Sequence, residues 1–156
     1  MCYILIHRYI ASPNMNNKNI NAILSLAILC FVAFGCSLVT EGKPEAERAV
    51  VQFHDLLNAE KYGEIYETSH KYMKDATSED DMVKLLTAVH TKLGAVKSSA
   101  MQSWQVGNYN LVSTVVLVQE TEFENGKGTE TFTFVIEDKK ATLGGYNINS
   151  MELITR

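Results

Sequence analysis

The chain is short of several things, and each shortage excludes something. Only 3 of its 156 residues are cysteine, at positions 2, 30 and 36. Downstream of residue 36 there is therefore nothing to build a disulfide framework or a thiolate metal site. No stretch reaches the roughly 20 consecutive apolar residues that a membrane-spanning helix needs. The apolar run at 20–34 falls short and contains Asn21 and Ser25. Basic residues form no stripe: 14 Lys and Arg face 18 Asp and Glu, for a formal charge of −4. Nucleic acid is not an expected partner, because phosphate binding requires clustered Lys and Arg. Sequence motifs of chemistry are also missing. There is no phosphate-cradling glycine loop, no GxSxG, and no histidine pair at i, i+4. Glu79-Asp80-Asp81 lacks the alternating ligand spacing of a calcium loop. No cofactor and no metal are expected.

What the chain does have is a sharp boundary at Cys36. Lys18 precedes the apolar stretch INAILSLAILCFVAFGC, and all 18 acidic residues follow it. A run of this length reads as an export segment and not as a fold element. Ala33-Phe34-Gly35-Cys36 resembles the bacterial lipobox, with small Gly35 directly before the cysteine and Phe34 bulkier than that pattern prefers. The resemblance implies cleavage before Cys36 and lipid on its thiol, which also accounts for an otherwise lone cysteine. Ser37 in place of aspartate implies, by the sorting rules of double-membrane bacteria, an outer-membrane destination facing the periplasm. Met15-Asn16-Asn17-Lys18 makes a more conventional start than MCYILIHRYIASPN, so translation is expected to begin at Met15. The expected organisation is a signal region over 1–35, a lipidated cysteine and polar tether over 36–43, and a single domain over 44–156.

Within that domain the period changes from helical to alternating. Pro44 with Glu45 and Glu47 opens a helix whose apolar face is Ala46, Ala49, Val50, Phe53, Leu56 and Leu57. A second helix is expected over 62–75, carrying the stripe Tyr62, Ile65, Tyr66, Ser69, Tyr72 and Met73. Ser78 and Asp81 form a capping box for a third, ending at Gly94. Four extended segments follow, over 96–106, 111–125, 128–138 and 141–153. Asn125-Gly126 predicts a primed hairpin turn, and Gly144-Gly145 predicts a bulge. The charged stretch 120–124 is expected to protrude into solvent, and Trp104 to pack in the core. The order predicts an α+β fold, with helices covering one face of an antiparallel sheet.

Leu57-Asn58-Ala59-Glu60-Lys61-Tyr62, Leu93-Gly94-Ala95-Val96 and Leu143-Gly144-Gly145-Tyr146-Asn147-Ile148, in that order, resemble the nuclear transport factor 2-like superfamily. More narrowly, they resemble small bacterial exported lipoproteins of the domain of unknown function 4019 type. The resemblance implies three N-terminal helices packed on a curved, mostly antiparallel four-stranded sheet, cone-like, and a homodimer through the sheet. Enzymes of that superfamily place a polar pair, often Asp with Tyr or His, inside the cone. No such motif maps onto this sequence, so no catalytic residue is carried over.

Tyr66, His90, Trp104 and Tyr146 are the candidates for lining a pocket, since aromatic groups offer an apolar body with a polar tip. The plainer readings are a place at the core edge for His90, core packing for Trp104, and, for the tyrosine stripe, packing at the core rim with the hydroxyls in water. The expected function is an envelope-anchored lipoprotein with a non-catalytic binding or accessory role, its ligand a small apolar molecule or an envelope protein. Two alternatives stay open: an isomerase- or hydrolase-like enzyme using the cone pocket, and a structural or inhibitory interaction module. Metabolic labelling with palmitate is expected to mark the parent chain and to be lost in Cys36→Ser. An unlabelled parent chain would reduce the segment to a plain signal or anchor.

Overall fold

The computed structural model describes residues 42–109 and 112–155. The signal region, Met15, Cys36 and nearly all of the tether lie outside them. Among the described residues four helices precede the sheet: α1 (Lys43–Asn58), α2 (Tyr62–Glu67), α3 (Lys71–Ala76) and α4 (Glu79–Leu93). The strands are β1 (Val96–Tyr109), β2 (Val112–Phe123), β3 (Gly126–Glu137) and β4 (Lys140–Asn149), and a short α5 (Met151–Thr155) follows. They form one antiparallel sheet in the order β1-β2-β3-β4. The fold is α+β, with helices ahead of a four-stranded antiparallel sheet.

α1 turns Ala46, Val50, Phe53, His54 and Leu57 inward, the spacing that one helix face requires. The facing sheet surface comes from alternate residues. Val115, Leu117 and Phe123 of β2 and Phe132 and Phe134 of β3 are at most 2% exposed. Each such side chain contributes about 1.5–3 kcal/mol of burial. Asn58 ties the end of α1 to the start of β1, accepting from the Val96 N–H at 2.8 Å and donating to its carbonyl at 3.2 Å.

Several expectations need correction. The helix expected over 62–75 is two helices, because the chain between them spends its polar groups elsewhere. Thr68 and Ser69 hydroxyls bond back to the Glu64 and Ile65 carbonyls, both at 2.7 Å. The His70 N–H goes to Leu143 O of β4 at 2.8 Å, and such local bonding competes with helix continuation. His70 then restarts the helix by accepting from the Tyr72 N–H through Nδ1. At the other end, the strand expected to reach residue 153 stops at Asn149, and 151–155 turn helical. The expected bulge is present: Thr133 pairs with Gly145 and Phe134 with Leu143, leaving Gly144 as the extra residue.

The turns also differ from expectation. Phe123 pairs with Gly126, so the β2–β3 turn centres on Glu124 and Asn125, and neither has positive φ. Gly126 lies against a different group: a Cβ there would come 2.7 Å from the Glu152 carboxyl carbon, so a side chain would have to displace the end of that flexible residue. The primed turn is the β3–β4 one, where Asp138 and Lys139 have φ of 49° and 60°. A left-handed backbone costs an L-residue about 1–2 kcal/mol, and Asp-Gly is a preferred pair for that turn. Lys139→Gly is therefore expected to raise stability by about 1 kcal/mol, read as a higher urea midpoint at unchanged slope.

Candidate functional site

The alternation that fills the core also carries polar residues into it. On β2 the inward positions after Val115 and Leu117 are Gln119 and Thr121, and on β3 the position before Phe132 is Glu130. Thr121 and Glu130 are completely buried. The stretch 120–124 does not protrude as a whole: Glu120, Glu122 and Glu124 face water while Thr121 and Phe123 face the core.

Three donors from three elements converge on the Glu130 carboxyl group. From α1, His54 Nε2 lies 2.8 Å from Oε2. From β2, Thr121 Oγ1 donates to Oε2 at 2.5 Å. From β4, Tyr146 Oη donates to Oε1 at 2.7 Å. A line of hydroxyls continues outward, with Ser99 Oγ of β1 3.2 Å from Thr121 Oγ1 and donating to Gln119 Oε1 at 3.1 Å. Among the described residues no buried side-chain nitrogen or oxygen lacks a partner. Phe53 and Phe132 enclose this cluster, their rings 4.8 Å and 5.3 Å from that of Tyr146. Burial raises the Tyr146 phenol well above its ordinary value of 10.0, and the Glu130 charge and hydrogen bond push it the same way.

Beside this sealed cluster lies an open apolar cleft of about 110 Å³ between α1, α2 and β4. Ala49, Phe53, Leu56, Ile65, Phe134 and Leu143 give it an apolar lining, and Gln52, Thr68 and Lys140 add polar groups. Phe53 is shared: it lines the cleft and packs on Tyr146.

None of the four residues expected to line a pocket lines this cleft. Tyr146 joins the Glu130 cluster. Tyr66 is half-buried and donates to Thr77 O at 3.1 Å. His90 sits at the core edge, its ring 6.3 Å from that of Tyr62 and Nδ1 4.0 Å from Glu60 Oε1. Trp104 is on the sheet's inward face but is 37% exposed, because β1 is the edge strand and α1 packs mainly over β4. Its expected place in the core is therefore wrong. Glu130, His54 and Thr121 were not among the expected site residues. The signal for Glu130 was its even-numbered register with Phe132 and Phe134, and for His54 its i+4 position from Val50.

An α+β domain with helices ahead of an antiparallel sheet, a buried carboxyl cluster and an apolar cleft is the class defined here. The family described as "Protein of unknown function (DUF3887)" matches residues 50–145, more than half of the chain, and the chain belongs to that family. The match takes in His54, Thr121 and Glu130 of the carboxyl cluster and stops one residue short of Tyr146, and it covers every residue named for the cleft except Ala49. No curated protein matches the chain.

Removing the Tyr146 hydroxyl leaves Glu130 one donor short, and a hydrogen bond to a charged group is worth about 1.5–3 kcal/mol. Tyr146→Phe is expected to lose about that much stability in urea titrations at neutral pH. The folded protein also keeps a phenolic proton that the unfolded chain gives up above about pH 10. That contribution is intact below pH 10 and is lost as pH rises beyond it. Tyr146→Phe should accordingly flatten the alkaline fall in stability.

Proposed function

We propose that this is a lipid-anchored envelope protein whose domain binds without catalysis, taking a single apolar group of a ligand or partner into the α1–β4 cleft. The observation that carries the reading is the contrast between that cleft and the carboxyl cluster: the apolar surface is open, and the acid is sealed at 0% exposure. The cleft's size narrows the ligand. At about 110 Å³ it is nearer the ~150 Å³ cavity that holds one benzene than the roughly 300–1,000 Å³ of drug-sized pockets. One ring or one branched aliphatic side chain fits that space, with Gln52, Thr68 and Lys140 as hydrogen-bonding groups.

The anchoring half of the proposal rests on the lipobox-like residues at Cys36 and places the protein at the bacterial outer membrane, facing the periplasm. We also propose the nuclear transport factor 2-like cone, and kinship with the 4019-type lipoproteins, as its architecture. Helices before a sheet and a bulge at Gly144 that bends the last strand support the cone. The helical layer counts as three only if α2 and α3 are taken as one interrupted helix.

One observation favours a second reading, an isomerase- or hydrolase-like enzyme. Glu130 has both a histidine and a tyrosine within hydrogen-bonding distance, the composition a general acid–base site uses. Against it, a carboxyl group with no exposed surface meets no substrate.

A photoreactive side chain at Thr142, in the cleft, is expected to capture a discrete adduct from native membranes, identified by mass spectrometry. The same group at Asp80, exposed on α4, should not. Ala49→Trp, which fills the cleft, should abolish capture while the domain stays folded. Equal capture at Thr142 and Asp80 would remove the cleft from the function.

A further inference from the structure

We infer that the inward face of the edge strand β1, centred on Trp104, is a membrane-contacting surface that rests on the lipid headgroup region when the chain is anchored. The inference rests on the reading of Cys36 as lipidated and adds how the domain then sits.

Met101, Trp104 and Val106 pair across the ladder with Gln119, Leu117 and Val115. Directly paired residues share a face, and those three partners are all buried. The β1 residues thus belong to the core side of the sheet, yet each is more than a third exposed, because among the described residues α1 packs mainly over β4 and reaches this edge only with its first turn. Exposed contiguous apolar side chains on a core face mark a contact surface.

The occupant follows from where the chain leads. The Lys43 ammonium lies over the Trp104 ring at 5.7 Å from its centroid, so the first turn of α1 borders the patch. Gly42 packs against Ile136, and it borders the same hollow as Ser113 and Lys139. Cys36 is six residues before Gly42, a chain length that spans at most about 20 Å. A lipid on Cys36 therefore brings a bilayer surface within reach of this end of the domain and of no other by necessity.

The chemistry of the patch suits that surface. Tryptophan concentrates at the membrane–water boundary, where its ring is half wet and half apolar. Charge adds little: Lys43 is paired with Glu47 at 2.7 Å, and Glu45 and Asp138 share the hollow with Lys139, so the contact is carried by the tryptophan and its apolar neighbours. Three partly exposed apolar side chains would not hold a free protein on a membrane. Tethering makes the contact intramolecular, at an effective concentration on the order of millimolar, and a weak patch then suffices.

The chain contains a single tryptophan, so its fluorescence reports this face alone. The full chain, isolated with its lipid and reconstituted into phosphatidylethanolamine–phosphatidylglycerol vesicles, is expected to float with them. Its emission should be blue-shifted relative to Cys36→Ser in buffer, and brominated acyl chains should quench it. Val106→Asp should keep flotation and lose both the shift and the quenching. Flotation with unshifted, unquenched emission would overturn the docking while leaving the anchor in place. Failure of the parent to float would overturn the anchor, and the inference with it. A blue shift in Cys36→Ser without vesicles, accompanied by a doubled mass, would assign the face to a second copy of the chain and overturn the membrane contact.

Discussion

A carboxyl group with no exposed surface sets the terms for the rest of this domain. Taking Glu130 out of water is costly unless its lone pairs meet donors, and the donors come from α1, β2 and β4. Each therefore has to arrive in one register. A slip of one residue in β3 would turn Glu130 to the outer face and put Thr129 or Thr131 in its place. A slip in β2 would withdraw Thr121, and a rotation of α1 would withdraw His54. Buried polar clusters of this kind are weak sources of stability compared with apolar packing of equal volume. Here the stabilisation comes from Phe123, Phe132, Phe134, Leu117 and the helix leucines around them, and the polar contacts constrain how those residues are brought together.

The same packing separates two kinds of surface. Phe53 and Phe132 close over Tyr146 and Glu130, while the other side of the α1–β4 junction stays open as an apolar cleft. The acid is sealed and the apolar cleft is accessible, and the proposed binding role rests on that contrast. The uncovered face of β1 extends this logic to the margin of the sheet. Where the helical layer ends, core-type residues remain exposed, next to the point at which the tether enters the domain.

Much of the fold was legible because helices and strands have different periods. The inward face of α1, the cap at Ser78, the stop at Gly94 and the bulge at Gly144 could all be read from local residues. What could not be read depended on long-range partners. The break between α2 and α3 follows from an N–H of His70 that bonds to β4, more than seventy residues away in sequence. Gly126 invited a primed-turn reading, whereas it pairs with Phe123 as the first residue of β3 and the turn centres on the two residues before it. Trp104 looked like a core residue because alternation shows which face a residue is on and not how far the helices reach. Glu130 sits on the right parity to be recognised, but a charged residue at the start of a strand reads as solvent-facing until its three donors are in view. His54 was visible only beside Asp55, with which it forms no pair.

The most direct test replaces the carboxyl cluster as a unit. The triple variant His54→Leu, Glu130→Leu and Tyr146→Phe exchanges the buried polar contacts for apolar ones of similar bulk, a swap that buried ion pairs often tolerate. If the cluster is a structural tie and the cleft is the binding surface, this variant will fold cooperatively and capture the same adduct at Thr142 as the parent chain. A folded variant that no longer captures it would place the carboxyl group in the function and contradict the account.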